Sequence, residues 1–462
     1  MLETRSPMVP ALVYAALSTA IVSSLGMLLV PSISQEMGVS VSTAQWMLTL
    51  NLLAGAIATP VMGRLSDGPH KKKLLLVSLA IILAGSVIAA LAPNFTVFLI
   101  GRTLQGLTYG IVAVTISLAR RYVEPAKVRG AISSLSVTVA TGIGIGYPLT
   151  GIIAGLAGFR WAFWFAALFV LSAIIVVIRV IPNGPDEHAA AIPFDYLGAT
   201  LLAFGLGSLL LGISEGPHWG WTSPRTLGIL LFAVVLLSLW IRTELRSDHP
   251  LINLHVFKNG EVLLANLTAI GLGAALYIGL SLASLVAQAP ESTGYGLALP
   301  VIWAGFVMFP LSVGSFAANR LVHRLGHRFS LATLLPIGAA LMAVAGSVLW
   351  LAHSELWEIL LGMLLFGLGL GAAYAAMPAL IARSVATEEL GSSVSFNQVL
   401  RTIGSSFGTA ISGAVIAAHT SADHHATATG INLTFEIGAV LCMLVFLALI
   451  INGFATRFRS AT

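Results

Sequence analysis

The segment from Gly63 to Lys73 reads Gly-Arg-Leu-Ser-Asp-Gly-Pro-His-Lys-Lys-Lys, and it separates two apolar runs at 43–62 and 74–92. Each run has the length of about 20 residues that a helix needs to cross the hydrocarbon core of a bilayer. The charges are collected in the segment and are almost absent from the runs on either side. This sorting is typical of a chain that lipid surrounds.

The same alternation of apolar runs and charged segments continues along the whole chain. Backbone groups at membrane depth find no water to bond, so each run is predicted to be a helix, and the short alternating segments of a membrane barrel are not seen. The first run is longer than a signal-peptide core and is expected to be retained. The sequence predicts fourteen spans, at 9–30, 43–62, 74–92, 95–118, 130–157, 161–181, 196–214, 225–241, 262–288, 298–318, 329–351, 356–382, 392–418 and 431–454.

Composition agrees with this interpretation and excludes other classes of protein. Hydrophobic residues make up 57% of the 462 positions and charged residues only 9%, against about a quarter in soluble domains. One cysteine, Cys442, in an apolar run excludes a disulfide framework and a cysteine-based metal site. His419, His424 and His425 with Asp423 are expected to be solvated, so no metal site is predicted. The net charge of +5 is not taken as a sign of nucleic-acid binding, because the basic residues lie in the loops.

The distribution of Lys and Arg predicts the orientation. If the N-terminus is cytoplasmic, Arg160 and Arg225 are the two basic residues in the outer loops, and Arg102 and Arg401 fall inside spans. The other Lys and Arg residues, out of 23 in all, lie in cytoplasmic segments, as the positive-inside rule requires. We expect a multi-pass protein of the bacterial inner membrane with both termini in the cytoplasm.

An internal repeat relates the two ends of the chain. Gly63–Asp67 after span 2 aligns with Asn319–His323 after span 10, and Gly101–Gly110 aligns with Gly362–Gly371. Repeats of this kind place a substrate site near the midplane, between the halves. The predicted fold is all-α, with an N-terminal six-helix bundle at 1–182, a central insertion with spans 7 and 8 at 183–258, and a C-terminal six-helix bundle at 259–462.

The loop after span 2 resembles a motif of the major facilitator superfamily, G-x-L-x-D-R-x-G-R-K, and the whole chain resembles the fourteen-helix drug:proton antiporter branch of that family. Gly68 and His70 depart from the motif. The resemblance implies close helix packing at Gly63, and it implies that Asp67 pairs with basic residues and takes part in proton coupling and in the conformational change. The alternative is a loop that is merely positively charged.

A second resemblance lies in span 4, where Arg102-Thr103-Leu104-Gln105-Gly106 is similar to the R-x-x-Q-G motif of the family. An arginine inside an apolar helix costs about 2.5–3.5 kcal/mol unless it faces protein or water. The family assigns such an arginine to proton coupling, and we expect this role for Arg102, with Gly106 in a conformational role. The alternative is an arginine that reaches back to the interface.

A third resemblance lies in span 5, where residues 142–151 are similar to the antiporter motif with the core G-P-x-x-G-G. Pro148 and Gly151 match this core, and Tyr147 replaces one of its glycines. Glycines spaced four apart let helices touch, and a proline bends a helix. Gly146, Pro148 and Gly151 are therefore expected to act in the conformational change, with simple helix packing as the alternative.

One departure concerns proton coupling. The branch carries an aspartate in span 1, whereas residues 20–24 here are Ala-Ile-Val-Ser-Ser. A carboxyl group that binds and releases a proton is the usual coupling device. Glu436 in span 14 is the deepest remaining carboxyl and is the candidate carrier. The alternative for Glu436 is a side chain that reaches back to the outer interface.

Polar and aromatic residues on the bundle helices predict the lining of a substrate cavity. Arg102 and Arg401 would make this cavity positive, which favours an anionic, zwitterionic or neutral substrate. Each polar residue could instead form a hydrogen bond between helices. Besides Arg102, the candidates are Asn51, Gln105, Tyr109, Tyr147, Tyr277, Trp303, Tyr374, Asn397, Gln398 and Arg401.

These observations predict a proton-driven exporter of small organic molecules or drugs that works by alternating access. The expected partners are the substrate, protons and lipid, and the expected state is a monomer with no cofactor beyond the proton gradient. The resemblance implies multidrug efflux and antibiotic resistance. No nucleophile–base pattern or phosphate loop favours an enzyme or an ATP-driven pump. The alternatives are an uptake transporter or facilitator of a metabolite, and a lipid-handling or sensor protein with the same fold.

Overall fold

The structure is a computed structural model that describes residues 7–66, 68–183, 194–248, 250–252, 254–255, 260–325, 331–384, 390–421 and 425–461. Within these residues, thirteen helices are long and apolar enough to cross a membrane. A further helix, Pro125–Ala157, covers the predicted fifth span. The prediction of an all-helical, multi-pass membrane protein is confirmed.

Most helices extend beyond the predicted spans by several residues, because a helix continues past the hydrocarbon into the polar region. The helices are α1 (Met8–Met37), α2 (Val41–Ser66), α3 (Lys71–Leu91), α4 (Phe95–Gln105), α5 (Ile111–Tyr122), α6 (Pro125–Ala157), α7 (Phe159–Val180), α8 (Tyr196–Trp219), α9 (Pro224–Arg246), α10 (Gly260–Gln288), α11 (Val301–Val307), α12 (Phe309–Leu325), α13 (Leu331–Leu351), α14 (Leu356–Ser384), α15 (Leu390–Ala418) and α16 (Ala428–Ala461).

Two predicted spans are each built from more than one helical piece. Span 4 consists of α4, a 3₁₀ turn at Gly106–Gly110 and α5. Span 10 consists of α11 and α12, which meet at Met308. Pro310 has no N–H to donate, and its ring clashes with the carbonyl of the residue four positions earlier. This accounts for the interruption just before it.

The helices form two six-helix bundles and a separate helical pair. The first bundle runs from α1 to α7, the second from α10 to α16, and they meet where α2 packs on α15 and α6 packs on α11 and α12. The helices α8 and α9 pack on each other, and α8 also contacts α2 and α15. A small apolar core joins this pair to both bundles, and its members are Ala56, Leu202, Leu206, Trp240, Leu251, Ile252, Phe396 and Val399.

The internal repeat appears as equivalent close contacts in the two bundles. A Cβ on Gly106 would lie 2.6 Å from the carbonyl oxygen of Asn51 on α2. A Cβ on Gly367 would lie 2.7 Å from the carbonyl carbon of Leu311 on α12. Glycine at these positions lets the backbones of span 4 and span 12 touch spans 2 and 10.

The glycines of the span-5 motif bring α6 into close contact with α1 of its own bundle and with α11 of the second bundle. A Cβ on Gly146 would collide with the hydroxyl of Ser24 on α1, and a Cβ on Gly151 would lie 2.8 Å from the carbonyl oxygen of Val301 on α11. Pro148 lies inside the helix between these two contacts. The packing interpretation of these glycines therefore has direct structural support.

The loop after α2 is held by its lysines. The Lys72 Nζ donates to the Ile181 carbonyl oxygen at 2.5 Å and to Asn183 Oδ1 at 2.7 Å, which ties the start of α3 to the end of α7. Among the described residues no atom lies within 4 Å of a Cβ placed on Gly63, so the close packing expected there is not observed. Asp67 lies outside the described residues.

Candidate functional site

Arg102 lies at the centre of the first bundle with none of its surface exposed. Its Nη1 donates to Gln105 Oε1 at 2.5 Å, one turn onward on the same span. Its guanidinium carbon lies 5.7 Å from the centre of the Phe163 ring. Gly26 on α1 makes room for Nη2, because a Cβ there would lie 2.5 Å from this atom. The arginine is therefore packed inside the protein and does not reach the interface.

Two further hydrogen bonds fix the orientation of Arg102. Gln105 Nε2 donates to Ser86 Oγ on α3 at 2.8 Å, and Asn51 Nδ2 on α2 donates to the Arg102 carbonyl oxygen at 2.9 Å. Nε and Nη2 of Arg102 have no hydrogen-bond partner among the described residues. Burying an unpaired guanidinium N–H is costly. These two groups therefore retain unused hydrogen-bond donors inside the protein.

A tyrosine pair joins the two bundles next to Arg102. The hydroxyl groups of Tyr109, in the 3₁₀ turn, and Tyr277, on α10, are 3.1 Å apart. Both rings lie within electrostatic range of Arg102. Tyr147 on α6 is 2% exposed and lies within range of Tyr277. Three of the predicted lining residues therefore meet at the interface between the halves.

The second bundle contributes an arginine with similar surroundings. The Arg401 guanidinium carbon lies 4.1 Å from the centre of the Tyr374 ring, a cation–π contact. Arg401 also donates to Gln398, one turn earlier on α15. Each arginine is thus bonded to a glutamine on its own helix, and Arg401 lies within electrostatic range of Tyr277.

These residues form one group, which we call the central cluster. It carries two guanidinium charges, and no described carboxylate pairs with either of them. Its aromatic hydroxyls and amides offer hydrogen bonds, and its rings offer faces for stacking. The central cluster consists of Arg102, Gln105, Tyr109, Tyr147, Tyr277, Tyr374, Gln398 and Arg401.

Hydrogen bonds close the bundles against each other at one end of α1 and α10. Ser284 Oγ donates to the Met27 carbonyl oxygen at 3.1 Å, and Gln288 Nε2 donates to the Leu28 carbonyl oxygen at 3.0 Å. Gln45 Nε2 on α2 donates to Ser281 Oγ at 3.2 Å. The sequence reasoning missed Ser281, Ser284 and Gln288, although polar residues on one face of an otherwise apolar helix are a readable signal.

Three predicted residues lie away from the central cluster. Trp303 on α11 is 61% exposed, and its ring contacts only Phe306 among described aromatic rings. Asn397 donates to Asn266 Oδ1 on α10 at 2.9 Å, which is a bond between helices. Glu436 is half-buried on α16, and the residues one turn away on either side are exposed. Asp423 and His424 lie outside the described residues.

A polar cleft also lies between the helical pair and the two bundles. It has a cavity volume of about 70 Å³ between α2, α8 and α15, and its lining includes Gln45, Trp46, Glu215 and Thr409. The Gln45 side-chain oxygen is buried there and has no hydrogen-bond partner among the described residues. This cleft is separate from the central cluster and is lined by the insertion, which the sequence reasoning did not consider as part of a site.

Curated relatives of the chain include several transporters. The Multidrug resistance protein B homolog of Mycobacterium tuberculosis is 26% identical over 421 residues, covering 87% of this chain and 75% of the relative. The uncharacterised MFS-type transporter YcnB of Bacillus subtilis is 26% identical over 459 residues, covering 96% and 94%. The multidrug transporter protein MdtP of the same organism is 25% identical over 426 residues, covering 89% and 75%.

Solved structures share the fold at lower identity. The human organic anion transporter MFSD10 aligns with a TM-score of 0.64 and 16% identity, covering 96% of this chain and 99% of that chain. The nucleoside transporter NupG aligns with a TM-score of 0.65 and 13% identity, with the same coverage. The family model described as Major Facilitator Superfamily matches residues 11–409. With its two bundles, its repeat and its motifs, the chain belongs to the major facilitator superfamily.

Proposed function

We propose that the chain is a proton-coupled exporter of small organic molecules, and that the central cluster is its substrate site. The observation that carries the proposal is the fully buried Arg102, which has two unpartnered N–H groups next to tyrosines from both halves. A fixed positive charge beside the tyrosine pair that joins the two bundles would respond both to the charge of a substrate and to protons that bind nearby.

Alternating access would proceed by rocking of the two bundles about the central cluster. The hydrogen bonds of Ser284 and Gln288 to α1 would then break in one state and form in the other. A substrate that accepts hydrogen bonds from Arg102 Nε and Nη2 would bind more tightly in a desolvated site, because charge-assisted hydrogen bonds are stronger away from water. The relatives named as multidrug transporters support a substrate range that includes drugs.

The test is accumulation of probes in inverted membrane vesicles, with and without an imposed pH gradient. Carboxyfluorescein serves as the anionic probe and ethidium as the cationic probe. We expect gradient-dependent accumulation in the wild type and its loss in Arg102→Ala. The matched control is Arg225→Ala, which should keep the accumulation, because the Arg225 side chain at the start of α9 lies over Trp219 at the end of α8. Loss in Glu436→Gln would assign the proton carrier to Glu436.

The charge of the central cluster predicts which probe is preferred. No described carboxylate pairs with either guanidinium group of the central cluster. These two positive charges would therefore repel a permanently cationic substrate that entered the cluster. We expect Arg401→Ala to reduce accumulation of the anionic probe by tenfold or so, since charge-assisted hydrogen bonds contribute about 1.5–3 kcal/mol. Accumulation of ethidium abolished by loss of Arg401 would contradict this substrate preference.

The alternative is facilitated exchange or uptake of a metabolite. One observation favours it: the residues at 20–24 of α1 include no acidic side chain. The helix that carries Glu436, α16, packs on α10, α13 and α15 of the second bundle. Accumulation that is indifferent to the pH gradient would support this alternative over export. A sensor or lipid-handling protein would move neither probe into vesicles in either condition.

A further inference from the structure

The helical pair between the bundles contains two carboxyl groups that the transport proposal does not use. Asp195 precedes α8, and its Oδ1 accepts a hydrogen bond from the Gly198 N–H at 2.7 Å, so this carboxyl caps the helix. Its other oxygen, Oδ2, is buried and has no hydrogen-bond partner among the residues that the structure describes. A buried carboxylate oxygen without a partner is costly and calls for a donor.

Glu244 lies near the end of α9 with none of its surface exposed. Its Oε1 accepts from Trp240 Nε1 at 3.0 Å, and its Oε2 accepts from the Ile252 N–H at 3.2 Å. A Cβ on Gly198 would lie 2.8 Å from this Oε1, and the same Cβ would collide with Asp195 Oδ2. Both carboxyl groups therefore face the same small space above Gly198.

No cation compensates the two carboxyl groups within the described chain. Arg242 and Arg246 lie two positions to either side of Glu244, on other faces of α9, and are exposed. The charged residue of α2 is Arg64 and that of α15 is Arg401, and neither forms an ion pair with Asp195 or Glu244.

The remaining titratable groups lie elsewhere on the same elements. Glu215 and His218 lie toward the other end of α8, Asp248 is exposed just beyond α9, and His255 follows in the connecting segment. Leu202, one turn after Gly198, and Ile252, whose N–H bonds to Glu244, belong to the buried apolar core of the helical pair. Two ionised carboxylates in such surroundings repel each other and lack solvent, so one of them retains a proton.

We propose that Asp195 and Glu244 together bind one proton in the space above Gly198, between Asp195 Oδ2 and Glu244 Oε1. The existing hydrogen bonds indicate this position for the proton, because both oxygens of Glu244 and Oδ1 of Asp195 already accept N–H groups. The proton thereby joins the start of α8, the end of α9 and the Leu251–Ile252 segment that leads to α10. The inference goes beyond the proposed function, since the pair lies in the insertion and outside the central cluster.

Infrared spectroscopy of the purified full-length protein tests the proposal directly, because a protonated carboxyl has a C=O stretching band distinct from that of a carboxylate. We expect this band at neutral pH, with a shift in D₂O, and its loss in Asp195→Asn. The asparagine keeps the acceptor for the helix cap and replaces the O–H by an amide donor, so the variant is expected to fold. The exposed Glu124, paired with Lys127, supplies the control Glu124→Gln, which retains the band.

A second variant separates the proton from the hydrogen bonds. Glu244→Gln removes one of the two charges and offers Asp195 Oδ2 an amide donor, so the pair no longer needs the proton and the band is lost here too. Raising the pH of the wild type should remove the band and increase hydrogen exchange at Ile252, whereas exchange in Asp195→Asn should not change with pH beyond its intrinsic dependence. Unchanged infrared bands in both variants would overturn the proposal, as would exchange at Ile252 with the same pH dependence in the wild type and Asp195→Asn.

Discussion

Long basic side chains satisfy the carbonyl groups at the ends of helices in this protein. Arg160 Nη1 donates to the carbonyl oxygens of Ala90 and Ala92 at the end of α3, at 3.0 Å and 2.9 Å, and its Nε lies 3.3 Å from Glu36 Oε1. The last carbonyls of a helix have no partner within the helix, and cations near that end are favourable. Arg160 therefore stabilises the end of α3 through bonds that depend on which helix end lies beside it.

The same interaction at Lys72 gives a prediction of stability. Its Nζ bonds to the carbonyl oxygens of Ile178 and Ile181 and to Asn183. Lys72→Met leaves these acceptors at the end of α7 without a charged donor. We expect the free energy of unfolding to fall by about 1–3 kcal/mol. Thermal melting of the purified protein in detergent measures it. The neighbouring Lys73 is exposed, so Lys73→Met should melt as the wild type does, and an equal effect of both variants would contradict the interpretation.

His353 predicts a dependence of stability on pH. It lies between α13 and α14, its Nδ1 is 2.9 Å from the Leu349 carbonyl oxygen, and its ring packs on Phe435. Burial lowers the pKa of His353 below its ordinary value, which is about 6.5 in an unfolded chain. As the pH falls below that value the unfolded state binds a proton that the folded state does not, so stability falls.

The measurement is the melting temperature as a function of pH, from neutral to mildly acidic. We expect the wild type to lose stability over this range and His353→Asn to lose less, because it has no ring to protonate. The exposed His70 provides the control, and His70→Asn should follow the wild type. Identical slopes for the wild type and His353→Asn would contradict the assignment.

At the scale of single residues, the sequence left open whether Arg102 is buried in the protein or reaches back to the interface, and the structure shows it fully buried. The sequence did not identify which side chains contact each other. Asn397 bonds to Asn266 on α10 and does not join the central cluster. The rotation of a helix about its axis determines which side such a residue faces, and an apolar run that is hydrophobic all round contains little information on that rotation.

At the scale of helices, hydropathy predicted the spans well but not their interruptions. The length of an apolar run is set by the thickness of the bilayer. Hydropathy therefore does not detect a 3₁₀ turn or a helix break whose residues are themselves apolar. Pro310 in span 10 was a readable signal for the break at Met308. The 3₁₀ turn at Gly106–Gly110 had a weaker signal, a glycine at each end. That turn presents Tyr109 to the second bundle, so the missed feature lies in the central cluster.

Close helix contact at Gly106 gives a prediction at this scale. Gly106→Ala brings a methyl group to 2.6 Å from the Asn51 carbonyl oxygen, and overpacking of this kind costs about 1–3 kcal/mol. We expect a lower melting temperature and reduced transport. Gly367→Ala should act similarly in the second bundle. Gly63→Ala has open space and is the control. If Gly63→Ala is as damaging as Gly106→Ala, packing does not explain these glycines.

At the scale of the whole molecule, the repeat predicted two bundles but not how they meet. The contacts between Tyr109 and Tyr277, and between Gln45 and Ser281, join residues far apart in sequence. A single sequence contains no information on which spans are neighbours in space. The motif repeat at spans 2 and 10 and at spans 4 and 12 predicted the two-bundle fold, and the packing of the helices and the family match confirm it.

Closure between the bundles gives a prediction for the transport cycle. The chain has one cysteine, Cys442, which is buried, so Cys442→Ser provides a background for paired cysteines. Gln45→Cys with Ser281→Cys should crosslink with a short bifunctional reagent and stop transport, because the two bundles can then no longer separate there. Single cysteines with the same reagent are the controls. Transport that continues in the fully crosslinked pair would contradict rocking about this interface.

The most direct test of proton-coupled transport uses purified protein in sealed liposomes that contain a pH-sensitive dye. A gradient of a transported substrate is imposed across the liposome membrane without any pH gradient, and the internal pH is followed. We predict that substrate movement drives protons in the opposite direction in the wild type and not in Arg102→Ala. Substrate movement in the wild type without a change in internal pH would contradict coupling and would favour a facilitator.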